Sequence, residues 1–411
     1  MDALTRSKLM MSLERLRDAS FAGIDWLNQY ALSDKTTGAR ENKPFITYKM
    51  KDVKSLPNLN ASKVEFAIQS LMSKGVVFHP TEATSPRNYL LDVGLIRQIY
   101  NEIGLPSFHE SFRKPKNNNK AIVIAELNLK GGVGKTTALV SVAAGLIHSK
   151  SMIQHRLKVL VIDLDPQGSA SISFGFPDSL NPTGNSAVKA MFDKVDVKTL
   201  KSWIQKTVNP GLDLLPASGF DAFFSIAAKS LGEDNNIPIN QLFNKFVIEP
   251  LREDYDCILV DCGPHIDATI LNVLHCTDGI MIPFGLDPLE LDSTLKFITR
   301  IVDLAIASDV KNLNFNKIRF LPSKYDDTNV IHKSNLSSAS TMWPGMVMNS
   351  YIPYLRAFIT TFNQQETIYN IPPQTYPGDK KSLMNAKTHM DRLVVEIFNR
   401  MILDTNGASN L

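Results

Sequence analysis

The fold is decided by one stretch, Lys130 to Thr137, which reads Lys130-Gly131-Gly132-Val133-Gly134-Lys135-Thr136-Thr137. An apolar, β-branched run at 121–125 comes just before it. The segment after it carries apolar residues at helical spacing, namely Leu139, Val142, Ala143 and Leu146. Strand, glycine-rich loop and helix in this order are the setting of a phosphate-binding loop. The stretch therefore predicts a nucleotide site at the start of a helix.

The residue types in this loop suit a bound ATP and Mg²⁺. Glycines leave backbone N–H groups free to point at phosphate oxygens, and the helix N-terminus adds a positive potential. We expect Lys135 to neutralise the β and γ phosphates, Thr136 to reach Mg²⁺, and Thr137 to donate to the α phosphate. A glycine turn that merely starts a helix is disfavoured, because the full spacing occurs in its proper context.

Carboxylates follow two further apolar runs. Asp163 and Asp165 come at the end of 158–162, and Asp261 comes at the end of 256–260. Ligands of parallel sheets bind at the carboxyl ends of the strands. We expect Asp163 and Asp165 to face the γ phosphate and its attacking water, and Asp261 to hold Mg²⁺. The structural alternative is that these residues only cap turns.

The same alternation of strand and helix continues through apolar runs at 279–282 and 318–321. Continuous apolar strands of this length are typical of a parallel sheet that is covered on both faces. Residues 121–411 are therefore predicted to form an α/β domain with a doubly wound, mostly parallel sheet, of the P-loop NTPase class.

An α-helical domain is predicted ahead of it, over residues 45–106. Helices at 50–56 and 61–75 are separated by Pro57 and Asn58, and a short strand at 76–78 leads toward a small wing. The pattern is typical of a winged helix-turn-helix domain that binds DNA, although a purely structural helical hairpin fits the spacing too. The first candidates for groove contacts lie at the start of the second helix: Asn60, Ser62 and Lys63.

Two segments flank this domain. Residues 107–120 (SFHESFRKPKNNNK) are polar and basic and are predicted to be an exposed linker. Within residues 1–44, the stretch 12–32 has an amphipathic helical pattern. It either packs on its own domain or forms a dimer contact.

Composition limits the class of protein. Residues 1–120 contain 18 Lys and Arg against 12 Asp and Glu, whereas the whole chain has 44 against 41, so the basic excess lies in front. The three cysteines have no metal-ligand spacing. Neither a signal peptide nor an apolar run long enough to span a membrane is visible. We therefore expect a cytoplasmic protein of two or more domains.

Four stretches carry a resemblance to a known family: KGGVGKTT at 130–137, VIDLDPQGSAS at 161–171, DCGPHIDATILN at 261–272 and YPGDKKSLMNAK at 376–387. Residues 121–403 resemble the ParA family of DNA-partition ATPases. The whole chain resembles the longer plasmid and secondary-chromosome type, which has a helix-turn-helix region in front.

The resemblance implies roles for individual residues. Lys130 would be the signature lysine of the deviant Walker A loop, reaching the phosphates of a partner across an ATP-sandwiched dimer. Lys135, Thr136 and Asp261 would hold phosphate and Mg²⁺, Asp165 would orient the hydrolytic water, and Asp163 would support the metal shell. Residues 262–263 read Cys-Gly where many members have Thr-Pro.

Late segments are implied to bind adenine and DNA. Residues 322–326 match part of the family's adenine pocket. A nonspecific DNA surface would include a set of cations, each of which could equally belong to a solvated face: Lys380, Lys381, Lys387 and Arg392. The final helix, 386–403, carries an apolar stripe that we expect to be core.

The expected function is DNA partition, associated with the nucleoid. ATP and Mg²⁺ would close a homodimer that binds DNA without sequence preference, and a ParB-type partner would stimulate slow hydrolysis. The front domain would read an operator and repress its own operon, and filaments on DNA are compatible with this behaviour. The alternatives are a MinD-like positioning ATPase on a membrane or scaffold, and a repressor whose ATPase acts only as a switch.

Overall fold

The computed structural model describes residues 46–80, 89–113, 120–223, 237–311 and 313–403, with a few positions between 10 and 22. Most of the stretch 12–32 that was predicted to be helical lies outside the described residues. Part of the predicted wing, 81–88, lies outside them as well.

The front domain is small and mainly helical. Its elements in chain order are β1 (Tyr48–Lys49), α1 (Met50–Lys54), α2 (Ala61–Ser73), β2 (Leu90–Leu91) and α3 (Val93–Glu102). β1 and β2 pair antiparallel, and Pro80 bridges Tyr89. The two predicted helices are present, but 76–78 forms no strand. Helix, turn and helix beside a small sheet is the arrangement that a winged helix-turn-helix needs.

The second domain is built on a sheet of seven strands. In spatial order the strands are β5 (Gln205–Lys206), β6 (Leu212–Leu215), β4 (Val159–Asp163), β7 (Cys257–Asp261), β3 (Ile122–Glu126), β8 (Gly279–Phe284) and β9 (Ile318–Pro322). Only the β5–β6 pair is antiparallel. The predicted doubly wound, mostly parallel α/β domain is confirmed.

Helices cover both faces of this sheet. They are α4 (Lys135–His148), α5 (Ser169–Ser173), α6 (Ala187–Asp193), α7 (Val197–Trp203), α8 (Ala268–Cys276), α9 (Pro288–Ala307), α10 (Val330–Met342), α11 (Arg356–Asn363) and α12 (Lys380–Ile397). The chain also makes π-helical turns at His109–Arg113, Asn244–Ile248 and Phe398–Ile402, the second running into a short helix at Glu249–Leu251.

The core divides along the sheet because successive strand residues point to opposite faces. Val159 and Val161 pack with α4 and α12 on one face, while Leu160 and Ile162 pack with α8 and α9 on the other. The front domain shares the first of these cores. As predicted, the apolar stripe of the final helix is core, continuing into the π turn: Leu393, Val394, Ile397, Phe398 and Met401.

β6 was missed from the sequence. Its four residues read Leu-Asp-Leu-Leu, and the Asp interrupts the apolar pattern. Asp213 is buried and accepts hydrogen bonds from Tyr255 Oη at 2.9 Å and Lys206 Nζ at 2.6 Å. These distant partners satisfy the carboxylate, so the acid fits a strand that its local sequence disfavours.

Residues 107–113 are not the exposed linker that was predicted. Phe108 is 3% exposed and packs against Phe398 of the second domain. Arg113 is 6% exposed, and its Nε lies 3.4 Å from Asp256 Oδ1. The polar and basic composition of this segment gave no sign that Phe108 and Arg113 are buried against the second domain.

The front domain is fastened to the amino edge of the large sheet. Arg97 of α3 donates from Nη2 to the carbonyl of Arg156 at 2.8 Å and from Nη1 to that of Leu157 at 3.1 Å. Tyr48 Oη donates to the carbonyl of His148, at the end of α4, at 2.8 Å. A Cβ at Gly211 would lie 2.7 Å from the Arg97 guanidinium, so this glycine permits the close approach.

Candidate functional site

The glycine-rich loop joins β3 to α4 at the carboxyl edge of the sheet. Gly132 has φ +76° and Gly134 has φ +87°, in the left-handed region that favours glycine. A Cβ at Gly134 would also lie 3.0 Å from Ser323 Oγ. Both glycines are therefore required by the backbone path, as a loop that wraps a phosphate chain requires.

Asn128 holds the start of this loop. Its Nδ2 donates to the carbonyl of Pro283 at 2.8 Å and lies 3.0 Å from Thr294 Oγ1, and its Oδ1 accepts from the backbone N–H of Lys130 at 3.0 Å. The side chain is buried. Asn128 thus ties the loop to β8 and α9, a role that its sequence position alone did not reveal.

Lys135, Thr136 and Asp261 are brought together as predicted. Thr136 Oγ1 donates to Asp261 Oδ2 at 2.9 Å. Lys135 is 8% exposed, and its Nζ lies 3.4 Å from the carbonyl of Lys130. Asp261 is fully buried, and its Oδ1 has no hydrogen-bond partner among the described residues. A hydroxyl beside a carboxylate with a spare oxygen is a suitable pair of ligands for Mg²⁺.

Asp163 is held in a way that was not predicted. It lies opposite Asp261 in the β4–β7 register and is fully buried. Its Oδ2 accepts from Ser171 N at 2.8 Å and Ser171 Oγ at 2.7 Å, and its Oδ1 accepts from Asp165 N at 3.1 Å. Burial raises its pKa to about 6, against the effect of these bonds. Both oxygens close the turn after β4, which argues against direct contact with a metal.

Asp165 remains open to the site. Its Oδ1 accepts from the N–H of Gln167 at 3.0 Å, and the side chain is partly exposed. A Cβ on Gly263 would lie 3.5 Å from the Asp165 carboxyl carbon, so the turn after β7 is next to it. The two strand ends therefore carry Asp165 and Asp261 to the same edge as the glycine loop.

Glu126, the last residue of β3, was missed in the sequence. It is fully buried beside Asp261, and neither carboxylate oxygen has a hydrogen-bond partner among the described residues. Burial, with Asp261 as a neighbouring charge, raises its pKa well above the usual range. The signal in the sequence was an acidic residue at the end of an otherwise apolar strand.

A cavity of about 180 Å³ opens beside the loop. Gly134 and Thr137 form one wall, and Ser323 and Lys324 form another. Lys324 has φ +53°, a strained conformation for a non-glycine residue. The remaining wall is apolar and comes from 352–355 and α11, including Tyr354, Phe358 and Phe362. Residues 323–324 fall within the predicted adenine segment, but the apolar wall was not foreseen.

The other predicted site residues lie on two surfaces. Lys380, Lys381 and Arg392 of α12 are exposed. Lys387 is different, because its Nζ turns inward to the carbonyl of Ile371 at 3.2 Å. Burial lowers the pKa of its ammonium to about 8. Lys387 is therefore part of the packing under α12 rather than of its outer surface.

At the start of α2, Asn60 is a helix cap, because its Oδ1 accepts from the N–H of Lys63 at 2.9 Å. Lys63 Nζ donates to the carbonyl of Asn58 at 3.0 Å. Ser62 is exposed. Of the three predicted groove residues, two already have partners within the domain.

Comparison with known proteins identifies the family. A family model for an AAA domain matches residues 120–315. Plasmid partition protein A of Escherichia coli is 30% identical over 372 residues, which cover 88% of this chain and 90% of that protein. The chain belongs to the ParA family of DNA-partition ATPases.

Solved structures give the same fold. A structure described as a partition protein has a TM-score of 0.69 at 24% identity and covers 93% of this chain and 98% of its own. Cobyrinic acid a,c-diamide synthase from Mycobacterium smegmatis, with bound ADP and magnesium, has a TM-score of 0.51 at 21% identity, with 69% and 99% covered. The first likeness extends over the front domain of this ParA-family chain.

The described residues contain neither a membrane-spanning helix nor a ready-made metal cluster. None of their helices combines the length and the apolar character needed to cross a bilayer. Within the same residues, no group of three or more His, Cys, Asp or Glu side chains is arranged to hold a metal ion.

Proposed function

We propose that this protein is an ATP-dependent DNA-partition ATPase whose nucleotide site is the loop 130–137. One observation carries the proposal. The loop, the Thr136–Asp261 pair and Asp165 meet at one edge of the sheet, where Gly132 and Gly134 take up the left-handed backbone that the loop requires. A purely structural turn has no need of a buried lysine beside a carboxylate with a spare oxygen.

ATP and Mg²⁺ fit the residues that are present. Backbone N–H groups of the loop and the start of α4 would hold the phosphates, with Lys135 as counter-charge. Thr136 and Asp261 would hold Mg²⁺ directly or through water. Bound Mg²⁺ supplies neutralisation of the charge that develops on the transferred phosphoryl group. A structural neighbour is described with bound ADP and magnesium, which supports a nucleotide with magnesium in this fold.

The cavity beside the loop is proposed to hold the adenine. Its apolar wall from α11 can pack against the base, while Ser323 and Lys324 supply polar atoms at the rim. Three backbone hydrogen bonds tie 322–325 to 352–354, which keeps this wall in place. An apolar slot with a few placed polar groups is what a flat base requires.

Asp165 is proposed to orient the attacking water. It is the strand-end carboxylate that stays partly exposed beside the loop, whereas Asp163 is enclosed by its own turn. Position and protonation state together determine whether a carboxylate can align a water for attack. An Asp165→Asn protein is expected to bind ATP but to hydrolyse it at least about tenfold more slowly.

Lys130 and the surface around the loop are proposed to form half of an ATP-closed homodimer. The Lys130 side chain is partly exposed at the carboxyl edge. Large apolar side chains that follow β7, β8 and β9 are exposed at the same edge: Ile266 37%, Leu289 79%, Val330 78%, Ile331 53% and Tyr354 65%. A cluster of this kind favours a self-complementary contact.

The closed dimer is proposed to bind DNA without sequence preference through α12, using Lys380, Lys381 and Arg392. A ParB-type partner would stimulate hydrolysis and release the DNA. The front domain would read an operator and repress the operon. The relationship to plasmid partition protein A supports this cycle.

Salt-dependent DNA binding tests the proposal. The full chain is mixed with a mixed-sequence duplex and ATP, ADP or no nucleotide, and electron microscopy of the same samples reports filaments. We expect ATP-specific binding that weakens steeply with salt. Lys130→Ala should keep nucleotide binding and lose the ATP-specific DNA binding. Equal DNA binding in all three nucleotide states would contradict the proposal.

A further inference from the structure

The turn before α2 contacts the second domain. Asn58 Nδ2 donates to Gln154 Oε1 at 2.8 Å, and Asn58 also accepts from Lys63 through its carbonyl. Asn60 caps the helix. A recognition helix usually reads bases with its first residues. In this chain Asn60 and Lys63 are already bonded at the turn, and Asn58 of that turn is tied to Gln154, so base reading falls to exposed residues further along α2.

One stripe of α2 faces away from the core. Ser62, Phe66, Gln69 and Ser73 recur at helical spacing and are all exposed. Phe66 is 62% exposed. The buried residues of α2 lie on the opposite side of the helix: Val64, Ala67, Ile68 and Leu71. The stripe is thus the outer surface of the second helix of a helix-turn-helix.

The acids that flank this stripe are paired with lysines. Glu65, on one flank, is paired with Lys54 of α1 at 2.7 Å. Glu102 of α3 is paired with Lys74 at 2.7 Å. The stripe itself carries no acid, so nothing on it repels a phosphate backbone. A helix of 13 residues is about 20 Å long and enters a major groove readily.

We propose that Phe66 and Gln69 are the residues that read base edges in operator DNA, a refinement that rests on the operator-binding part of the proposed function. A Gln amide pairs in bidentate fashion with adenine N6 and N7, and an aromatic ring contacts the methyl group of thymine. The favoured site is therefore a half-site with adjacent A·T pairs under the middle of α2.

Selection from a random duplex library tests this assignment. The full-length wild type and the Phe66→Ala, Gln69→Ala and Gln69→Arg variants each select from duplexes of about 20 bp. Phe220→Ala is the matched control, since Phe220 is 73% exposed on the second domain. Affinity for the wild-type consensus and for a scrambled duplex is then measured for every protein, with sedimentation as a check on self-association.

The wild type should enrich a motif with A·T pairs. Phe66→Ala and Gln69→Ala should each lose about tenfold or more in affinity for it, with scrambled DNA unaffected. Gln69→Arg should enrich G where the wild type enriches A, a change that a folding defect cannot produce. The control should match the wild type.

Three results would overturn the assignment. The first is unchanged consensus affinity in both alanine variants, the second is the absence of any enriched motif with the wild type, and the third is a Phe66→Ala effect on self-association instead of DNA affinity. Nucleotide binding measured on the same samples separates these outcomes from failure of the ATPase proposal, because Phe66 and Gln69 lie outside the nucleotide site.

Discussion

The two ends of α4 differ in the polar groups they carry and in what those groups bind. At its start, Lys135 faces a carboxylate with a spare oxygen, Glu126 is unpaired among the described residues, and Lys130 is partly exposed. At its end, the carbonyl of His148 accepts from Tyr48 of the front domain. Nearby, Arg97 is bonded to two carbonyls.

The difference separates binding from assembly. Buried polar groups are normally paired, so spare ones at a strand edge indicate a site that a ligand completes. At the docking end, where α4 stops, His148 Nδ1 and Asn209 Nδ2 also lack partners among the described residues, but the hydrogen bonds of Tyr48 and Arg97 join the two domains there. The two ends therefore differ in kind: the start of α4 leaves buried carboxylate oxygens without partners, which costs stability, while the end of α4 is joined to the front domain by hydrogen bonds that need no ligand.

The largest effect is expected from Lys135→Ala at the binding end. Loss of the counter-charge to the phosphates should lower ATP hydrolysis by about 100-fold or more, measured as phosphate release. Lys150→Ala, a change of the same type just beyond the other end of α4, should leave hydrolysis unchanged. Normal hydrolysis by Lys135→Ala would remove the loop from the mechanism.

Arg97→Ala should weaken the docking end. The carbonyls of Arg156 and Leu157 lose their donor in a half-buried contact, at a cost of about 2 kcal/mol in the free energy of unfolding. Denaturant unfolding measures the loss, and the exposed Arg300→Ala is the control. Nucleotide affinity should stay as in the wild type. A fall in that affinity with no loss of stability would break the division between the two ends.

Asn128→Ala should show an intermediate behaviour, since Asn128 is a paired residue at the binding end. Loss of its bonds to Pro283, Thr294 and Lys130 should cost about 1 to 2 kcal/mol of stability. A loosened loop should also raise the Kd for an ATP analogue about tenfold. Calorimetric titration checks the affinity, with the exposed Asn385→Ala as control. An effect on stability without one on affinity would show that the loop needs no anchor.

His148 at the docking end gives a pH dependence. Burial lowers its pKa from 6.5 to about 4, with Asn209 Oδ1 at 2.6 Å from Nε2 opposing the shift. Because the folded pKa lies below the unfolded one, its contribution is fully present above pH 6.5 and is lost as the pH falls toward 4.

At pH 5 the His148 contribution should have fallen by about 1 to 2 kcal/mol relative to pH 7. Denaturant unfolding of the wild type and of His148→Gln at both pH values isolates it. Between pH 7 and pH 5, His148→Gln should lose less stability than the wild type. Equal losses of stability in the two proteins would mean that protonation of His148 does not weaken this end of α4.

The sequence was sufficient for the strands with continuous apolar runs and for the loop, because a parallel sheet buried on both faces demands such runs and a phosphate loop demands glycines in order. It was insufficient wherever the environment of a residue depends on partners that are far away in the chain. Asp213 fits β6 only through Tyr255 and Lys206. Phe108 was predicted to lie in an exposed linker, but it packs against Phe398 of the second domain.

The same limit applied to the candidate site. Lys387 lies in the segment that resembles a DNA-binding surface, yet its ammonium group donates to the carbonyl of Ile371. The cavity proposed for the adenine combines the loop with α11, which lies about two hundred residues later in the chain, so no local pattern could give its apolar wall. The bond of Asn58, in the turn before α2, to Gln154 could be seen only with the two domains docked.

Hydrogen exchange of the full chain, with and without Mg²⁺ and a non-hydrolysable ATP analogue, tests the central claim most directly. Binding at the loop predicts slower exchange at 128–137, 163–168, 322–326 and 352–358. Exchange in α3 and at 153–157, at the docking end, should stay unchanged. Slowing confined to the docking end, or none at the loop, would contradict the assignment of the nucleotide to the start of α4.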